Sequence, residues 1–493
     1  MLQSGLVGFL LTLGVLCWLF CLRRRRQACI QARAERLFAA RHGCLPPSPW
    51  GAKYPLGLDY LFKAFKKSRQ QQVLHFFLDV VAESGTIFEQ KLLGSRAIGT
   101  IDPANIEAIP STNFQDYSLG LRAPTFYPLL GSGIFTQDGT SWRHSRQLLR
   151  PQFLANRSRN FEQIKKMHSL AAEDWGQVAG HESEFAKAFN VAQEYLADRG
   201  RLGSFYWILS NQRFREACRT CHRFIDEAVK KALEVSEKRR PALGGMTPAS
   251  SEGDDEKSDY VFIEALVHET RDPKVIRDQC LNVLLAGRDT TGCCLQWTFR
   301  LLAREQKALA KLRQEIRHVV DLGANAPQPG RDDLKRMVYM NLVINEVLRL
   351  YPSVPVNTRE ATRLTTLPVG GGPDGTSPIV VRLGEGVGYC VYAMHRRKDI
   401  YDEDADDFRL ERWEGDALKD VGWGYLPFNA GPRLCLGQEF ALLEAAYTVA
   451  RVVQVFPYIE LPPGQLPDVI GKEKQTLTLV VSSAEDCWVS LRS

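Results

Sequence analysis

No G-x-G-x-x-G joins a strand-like run to a helix in this chain, the one match, Gly370–Gly375, lying between two β-like runs, so it carries no flavin or nicotinamide site of the dinucleotide type. Its nine histidines include no pair at metal-ligand spacing on a helix, which argues against zinc. Charge of one sign is not in excess. The formal net charge is +6, and no basic stripe is interleaved with aromatics, so a nucleic-acid groove is excluded as a partner. The twelve cysteines lack the regular spacing of a disulfide scaffold and read as reduced thiols facing the cytosol. There is no internal repeat and no inter-domain linker, although 493 residues exceed the usual single-domain length.

One long apolar run is present. Gly5 to Leu22 is uncharged, and Arg23, Arg24, Arg25 and Arg26 follow directly. That length is near the lower limit for a spanning helix. A cleaved secretory signal would carry its charge before the apolar run and small residues at the cleavage site, where Cys17, Trp18 and Phe20 stand. The basic cluster should remain cytosolic, with the short N-terminus on the far side. The expectation is therefore an anchor and basic flank over 1–26, a linker over 27–50, and a catalytic domain over 51–493. Leu45-Pro46-Pro47-Ser48-Pro49 reads as a stiff hinge in the linker.

Beyond the hinge the periodicity is mostly helical. Short strand-like stretches occur near Ile98–Thr100, Ile379–Arg382 and Leu477–Ser482. Pro241–Asp259 reads as a surface loop, and Gly370–Gly375 as a tight turn between two β-like runs. The fold class expected is mainly α with a minor β part.

The decisive segment is Phe428-Asn429-Ala430-Gly431-Pro432-Arg433-Leu434-Cys435-Leu436-Gly437, which runs into a helical stretch from Gln438. A metal-bound thiolate needs backbone N–H groups beneath the sulfur, and glycines at 431 and 437 permit that approach. The N-terminal end of the following helix should lower the thiol pKa. Phe428 can cover the sulfur from water, and Arg433 offers a fixed cation beside it. A buried structural cysteine in a glycine turn would not need all five positions at this spacing.

With these residues the segment resembles the haem-ligand loop of the cytochrome P450 superfamily, and further matches fall in family order. The resemblance implies a non-covalent haem b with Cys435 as axial iron ligand, and Arg433 on a propionate. Ala286-Gly287-Arg288-Asp289-Thr290-Thr291 lies within a helical run from about Val275 to Arg304. Alone it would be an ordinary helix-end cap. In the family the matching acid–alcohol pair lies over the distal haem face, so Asp289 and Thr290 are expected to relay protons, on a helix loosened by a glycine. Trp142 and Arg146 stand one helical turn apart and can both reach one propionate, and Arg359 matches another propionate arginine.

Glu346-Val347-Leu348-Arg349 is uninformative by spacing alone, since it recurs at Glu216/Arg219, Glu237/Arg240 and Glu360/Arg363. Its likeness to the family rests on Phe408-Arg409-Leu410-Glu411-Arg412-Trp413, which would complete a buried Glu346–Arg349–Arg412 cluster of structural role. Leu410 replaces the usual proline. Cys218-Arg219-Thr220-Cys221-His222 has the form of a covalent c-type haem attachment site, which is not expected on the cytosolic side.

Phrases such as Leu119-Gly120-Leu121-Arg122, Ile134–Gly139, Leu149–Phe153 and Tyr392–Asp399 resemble the fungal n-alkane and fatty-acid hydroxylase branch. That likeness implies a monooxygenase of the endoplasmic reticulum membrane, single-pass with its catalytic domain cytosolic. It would insert one atom of O2 into a C–H bond of an apolar, long-chain substrate, with electrons from NADPH-cytochrome P450 reductase. Phe126, Leu285, Val354 and Leu477 are the expected pocket residues. Oxidation of a secondary metabolite, a haem protein without turnover, and a haem-thiolate isomerase or dehydratase are the alternatives; Asp289 and Thr290 argue against the last two. Compared with the branch, only one amphipathic segment, about Arg157–Val178, precedes the stretch matching Phe185–Asn190. Roughly 30 residues, a helix with its connections, should be missing near 179–184.

Overall fold

The computed structural model describes residues 2–47, 57–92, 95–154, 161–162, 164–165, 184–239, 262–465, 469–485 and 487–492. The loop expected over Pro241–Asp259, most of the amphipathic segment Arg157–Val178, and Ser48–Pro49 of the hinge lie outside them.

Helices dominate the described chain. Leu2–His42 is one helix that runs through the Arg23–Arg26 cluster without a break. Gln27–His42 is rich in Ala, Arg, Gln and Glu, good helix formers, so nothing local stops the helix at Arg26. Most side chains of the apolar run, residues 2–14 and Cys17, lie outside the described residues, and with them the expected anchor. Among the described residues no helix is long and apolar enough to cross a membrane. The chain after the helix is tied to the β region: Leu45 N donates to Pro378 O, Gly372 N donates to Pro46 O, and Pro47 bridges Gly371.

The axis of the fold is the helix Pro273–Arg304, of 32 residues. Asp272 caps it by accepting from the N–H groups of Lys274 and Val275, and Pro273 fills the first turn, where no N–H is needed. Its buried residues join both apolar clusters. Trp297, Leu301 and Leu302 belong to the larger one, with the helices Gln306–Val320, Val338–Leu350 and Gln438–Val455. Ile276, Leu281 and Leu285 belong to the smaller, with the helices Arg122–Leu130, Glu184–Arg201 and Gln212–Arg239. One helix thus joins two cores, and its middle, where Asp289 and Thr290 lie, falls between them.

The minor β part is a five-stranded sheet in the order β1 (Ile87–Leu92), β2 (Ser95–Thr100), β7 (Gly386–Cys390), β4 (Val356–Ala361), β3 (Tyr117–Ser118). Among the described residues three hairpins or pairs are separate from it: β5 (Thr365–Gly371) with β6 (Ser377–Val381), β9 (Gln475–Leu477) with β10 (Val481–Ser483), and β8 (Tyr458–Glu460) with β11 (Ser490–Arg492). The tight turn at Gly370–Gly375 closes β5 onto β6, with Gly370, Gly372 and Gly375 at positive φ. The stretch Leu477–Ser482 is not one strand but the turn of the β9–β10 hairpin, with Leu477 paired to Val481.

Candidate functional site

Cys435 sits between a 3-10 turn at Gly431–Arg433 and the helix Gln438–Val455. Its N–H donates to Phe428 O at 3.1 Å, which closes the loop beneath the sulfur. Gly431 has φ +68°, and a Cβ there would lie 2.1 Å from Pro110 O, so glycine is required. Gly437 N–H bonds the sulfur and Arg146 lies close by, and both pull the thiol pKa down. Desolvation outweighs them and leaves the thiol above its ordinary value, contrary to the lowering expected from the helix end. The side chain is nonetheless reachable by solvent, as an atom at the wall of a recess is.

Around that recess arginines converge from four segments. Arg433 donates to Ile134 O at 3.1 Å, Gln137 O at 2.9 Å and Asp138 Oδ1 at 2.7 Å, and its Cζ lies 4.5 Å from the Trp142 ring centroid. Trp142 is buried, with Arg146 one turn further along the helix Gly139–Leu154. Arg359, on β4, is buried and donates to Thr358 O. A fourth arginine was not assigned from sequence. Arg122 opens the helix Arg122–Leu130 and donates to Asn357 Oδ1 at 3.2 Å. Burial and the neighbouring Arg359 push its pKa down to about 9; the same two causes bring Arg433 to about 10. Arg122 keeps some accessible surface while protein surrounds its guanidinium, the mark of a group lining a cavity. The signal for it was in the sequence. At Gly120, φ +54°, a Cβ would lie 2.6 Å from Glu360 Oε2, so only glycine lets the chain turn into Arg122 there.

The Asp289–Thr290 pair lies on an unbroken helix, not a loosened one. Thr290 Oγ1 donates to Ala286 O at 2.6 Å, and Ser353 Oγ donates to Thr290 O at 3.0 Å. Back-bonding to the i−4 carbonyl lets the hydroxyl sit in a helix without a break. Asp289 is partly exposed, 3.8 Å from Arg288, which also donates to Asn190 Oδ1 at 2.8 Å and lies over the Phe189 ring.

Glu346, Arg349 and Arg412 form one cluster, all essentially without exposure. Arg349 donates to both carboxylate oxygens at 2.8 Å, Arg412 Nε donates at 3.0 Å, and Trp413 Nε1 at 2.9 Å. Leu410 opens a 3-10 turn that still delivers Arg412 inward. The look-alike spacings differ: Glu216 is exposed and accepts from Gln212, and Arg363 pairs with Asp116 rather than with Glu360.

The Cys218–His222 string is helical and closed off. Burial pushes both thiols up to about 12, and the His222 ring lies 2.8 Å from Leu129 O. Among the described residues no group of three or more His, Cys, Asp or Glu could hold a metal ion.

A family model described as Cytochrome P450 matches residues 179–484. A "Cytochrome P450" of Arthroderma benhamiae is 54% identical, over 94% of this chain and 95% of its own length. "Cytochrome P450 52A5" of Candida maltosa is 39% identical, over 83% and 86%, and "Cytochrome P450 52A1" of Candida tropicalis 42%, over 79% and 77%. The chain belongs to the cytochrome P450 family. As such it is a haem-dependent monooxygenase, an oxidoreductase. The solved haem domain of cytochrome P450DA shares the fold of this P450, with a TM-score of 0.70 over 91% of this chain and 99% of that one, at 18% identity. Haem carries two propionate carboxylates, and a recess in which Arg359 lowers the pKa of both Arg122 and Arg433 fits such a dianion.

Proposed function

We propose that this P450 hydroxylates long apolar chains at or near their end, with Cys435 holding the haem iron. Haem bound there supplies oxygen activation; the chain's own residues orient it, exclude water and move protons. The observation that carries the reading is the recess itself, with a solvent-reachable thiol backed by the Gly437 N–H and facing a set of arginines with one carboxylate, Asp138, among them. Arg122, Arg146, Arg359 and Arg433, with Trp142, would hold the propionates. Phe428 shields the sulfur, and Asp289 and Thr290 pass protons inward from the exposed edge of the helix.

The aliphatic substrate rests on likeness to the fungal branch and on apolar lining. Phe126 and Leu285 share one apolar cluster, Val354 follows Ser353 beneath Thr290, and Leu477 heads the β9–β10 hairpin. Electrons would come from NADPH-cytochrome P450 reductase, and the apolar run before Arg23 would anchor the chain in the endoplasmic reticulum membrane with this domain cytosolic. A carbon monoxide difference spectrum followed by a substrate-binding spectral screen tests the proposal. Shifts with fatty acids or alkanes support it; shifts with aromatic polyketides alone overturn it.

We further infer that a coding segment is skipped near 179–184. The alignment with the Arthroderma relative spans 497 positions, yet 94% of this chain is about 463 residues, which leaves about 34 positions opposite none of its residues. The family match starts at residue 179, beside the expected break. Sequencing the transcript tests this. If the message encodes the chain as written and the protein is stable and turns over, the inference is wrong.

A further inference from the structure

Away from the haem recess, one buried junction holds a concentration of polar atoms without partners. It lies where the end of the helix Pro273–Arg304 meets Tyr351, Tyr392, Arg396 and the segment Gly471–Gln475. Tyr351, Tyr392, Arg396, Glu473 and Gln475 are all buried there. Tyr351 donates to Glu473 Oε1 at 2.7 Å and accepts from Gly471 N at 3.3 Å. Arg304 Nη1 stands 3.6 Å from the same carboxylate oxygen. Gln475 Nε2 donates to the Tyr392 hydroxyl at 3.4 Å, and Arg396 stacks on the Tyr392 ring at 3.6 Å with its Nε turned to the exposed Asp406.

After these contacts, Arg304 Nε and Nη1, Arg396 Nη2, Glu473 Oε2 and Gln475 Oε1 have no hydrogen-bond partner among the described residues. Buried polar atoms are nearly always paired, so five in one junction call for an occupant. Its chemistry follows from theirs. The arginines present donors; the glutamate and glutamine present acceptors. A halide could satisfy only the donors and would face the Glu473 carboxylate, whereas a metal cation would face two guanidinium groups. Water both donates and accepts.

We propose that this junction is a built internal hydration site, with about two waters at roughly three hydrogen bonds each bridging Arg304 and Arg396 to Glu473 and Gln475. The waters hold one end of the β9–β10 hairpin, since Gln475 is the first residue of β9. The other strand is tied to the helix of the proton relay. Val481 O accepts from Trp297 Nε1 at 3.2 Å, Val481 N donates to Ser353 O, and Ser353 Oγ donates to Thr290 O. Hydration at the junction therefore positions the hairpin against that helix, independently of the substrate.

The test uses the full haem-loaded chain. A structure at water-resolving resolution should show about two waters within hydrogen-bond reach of Glu473 Oε2, Gln475 Oε1 and the two guanidinium groups. A bromide soak should leave no anomalous peak there. A bromide peak, or a dry junction, overturns the proposal. In solution, Gln475→Leu should speed amide hydrogen exchange over residues 475–483 by about tenfold, while the helix Val338–Leu350 keeps its rates. Thr476→Ala, on the exposed face of the same strand, should change neither. Unchanged exchange in Gln475→Leu would show that the waters do not hold the hairpin.

Discussion

Replacing Glu346 by glutamine should cost this P450 far more stability than its isosteric shape suggests. Five donors converge on the carboxylate: Arg349 Nε and Nη2, Arg412 Nε, Trp413 Nε1 and the Arg409 N–H. An amide keeps one acceptor oxygen and turns an NH2 group on the donors of the other side. It also removes the charge that balances two buried guanidinium groups, leaving Asp404, 3.2 Å from Arg412, as their carboxylate. Breaking one side of a buried ion pair costs about 3–5 kcal/mol. Unfolding entropy of about 2.1 cal/mol/K per residue gives this chain on the order of 1 kcal/mol per degree, so Tm should fall by about 3–5 °C. Thermal unfolding followed by circular dichroism at matched haem occupancy measures it. Glu216→Gln is the control, with the same E-x-x-R spacing on an exposed helix face, and should move Tm by less than about 0.5 °C. Equal shifts in the two variants would refute the reasoning, because they would make the cluster no more than a surface pair.

Cys435→Ala should abolish the thiolate-type carbon monoxide spectrum; a preserved one would remove this residue as iron ligand. Thr290→Ala should still bind haem and substrate but divert NADPH electrons to peroxide, and unchanged product per NADPH would end its assignment as relay. Arg122→Gln should act with opposite signs in two assays. The haem-free chain gains stability as repulsion from Arg359 and Arg433 is relieved, while haem transfer to apomyoglobin accelerates about tenfold, for one lost charged hydrogen bond. A shift of the same sign in both assays would contradict that account. His395 is fully buried, accepts from Leu426 N–H at Nε2, and burial depresses its pKa to about 3. A depressed histidine stabilises the fold above its unfolded pKa and loses that contribution as pH falls from about 6.5 towards about 3, so stability should drop by about 2 kcal/mol between pH 7 and 5. Urea midpoints that fall as much in His395→Gln as in the parent protein would show that another group is responsible.

The helix Pro273–Arg304 and the Cys435 loop were legible because their chemistry is local. A cap, a proline at the first turn and a run of suitable period suffice for one, and glycine at fixed offsets from the thiol for the other. What escaped depends on distant partners. Leu477–Ser482 reads as a single β run, yet Leu477 pairs back on Val481, because a short apolar stretch does not reveal which of its residues turn. The helix continuing past Arg26 was hidden by the contrast in polarity, which does not by itself end a helix. The thiol shift had the wrong sign because a helix end and a nearby arginine are visible in sequence, whereas the protein atoms that desolvate the sulfur come from elsewhere in the chain.

Buried arginines in this molecule fall into two kinds, and charge balance separates them where sequence spacing does not. At Glu346 the two guanidinium groups face two carboxylates, Glu346 and Asp404, and the remaining donors find the carbonyls of His395, Tyr401, Asp404, Ala405 and Asp407. Such a cluster is closed, has no use for a ligand, and locks the segment 404–412 against the helix Val338–Leu350. At the haem recess the charges do not cancel. Burial and the nearby Arg359 lower the pKa of both Arg122 and Arg433, with Asp138 as the carboxylate in direct contact with Arg433. An assembly that raises its own electrostatic energy in the absence of a counter-charge is stabilised by an anion, and its stability then depends on that anion being bound. The same residue type therefore holds the fold at one site and, in the proposed function, would bind the haem dianion at the other. The distinction rests on how many carboxylates the fold brings within reach, a quantity that no E-x-x-R or W-x-x-x-R spacing contains.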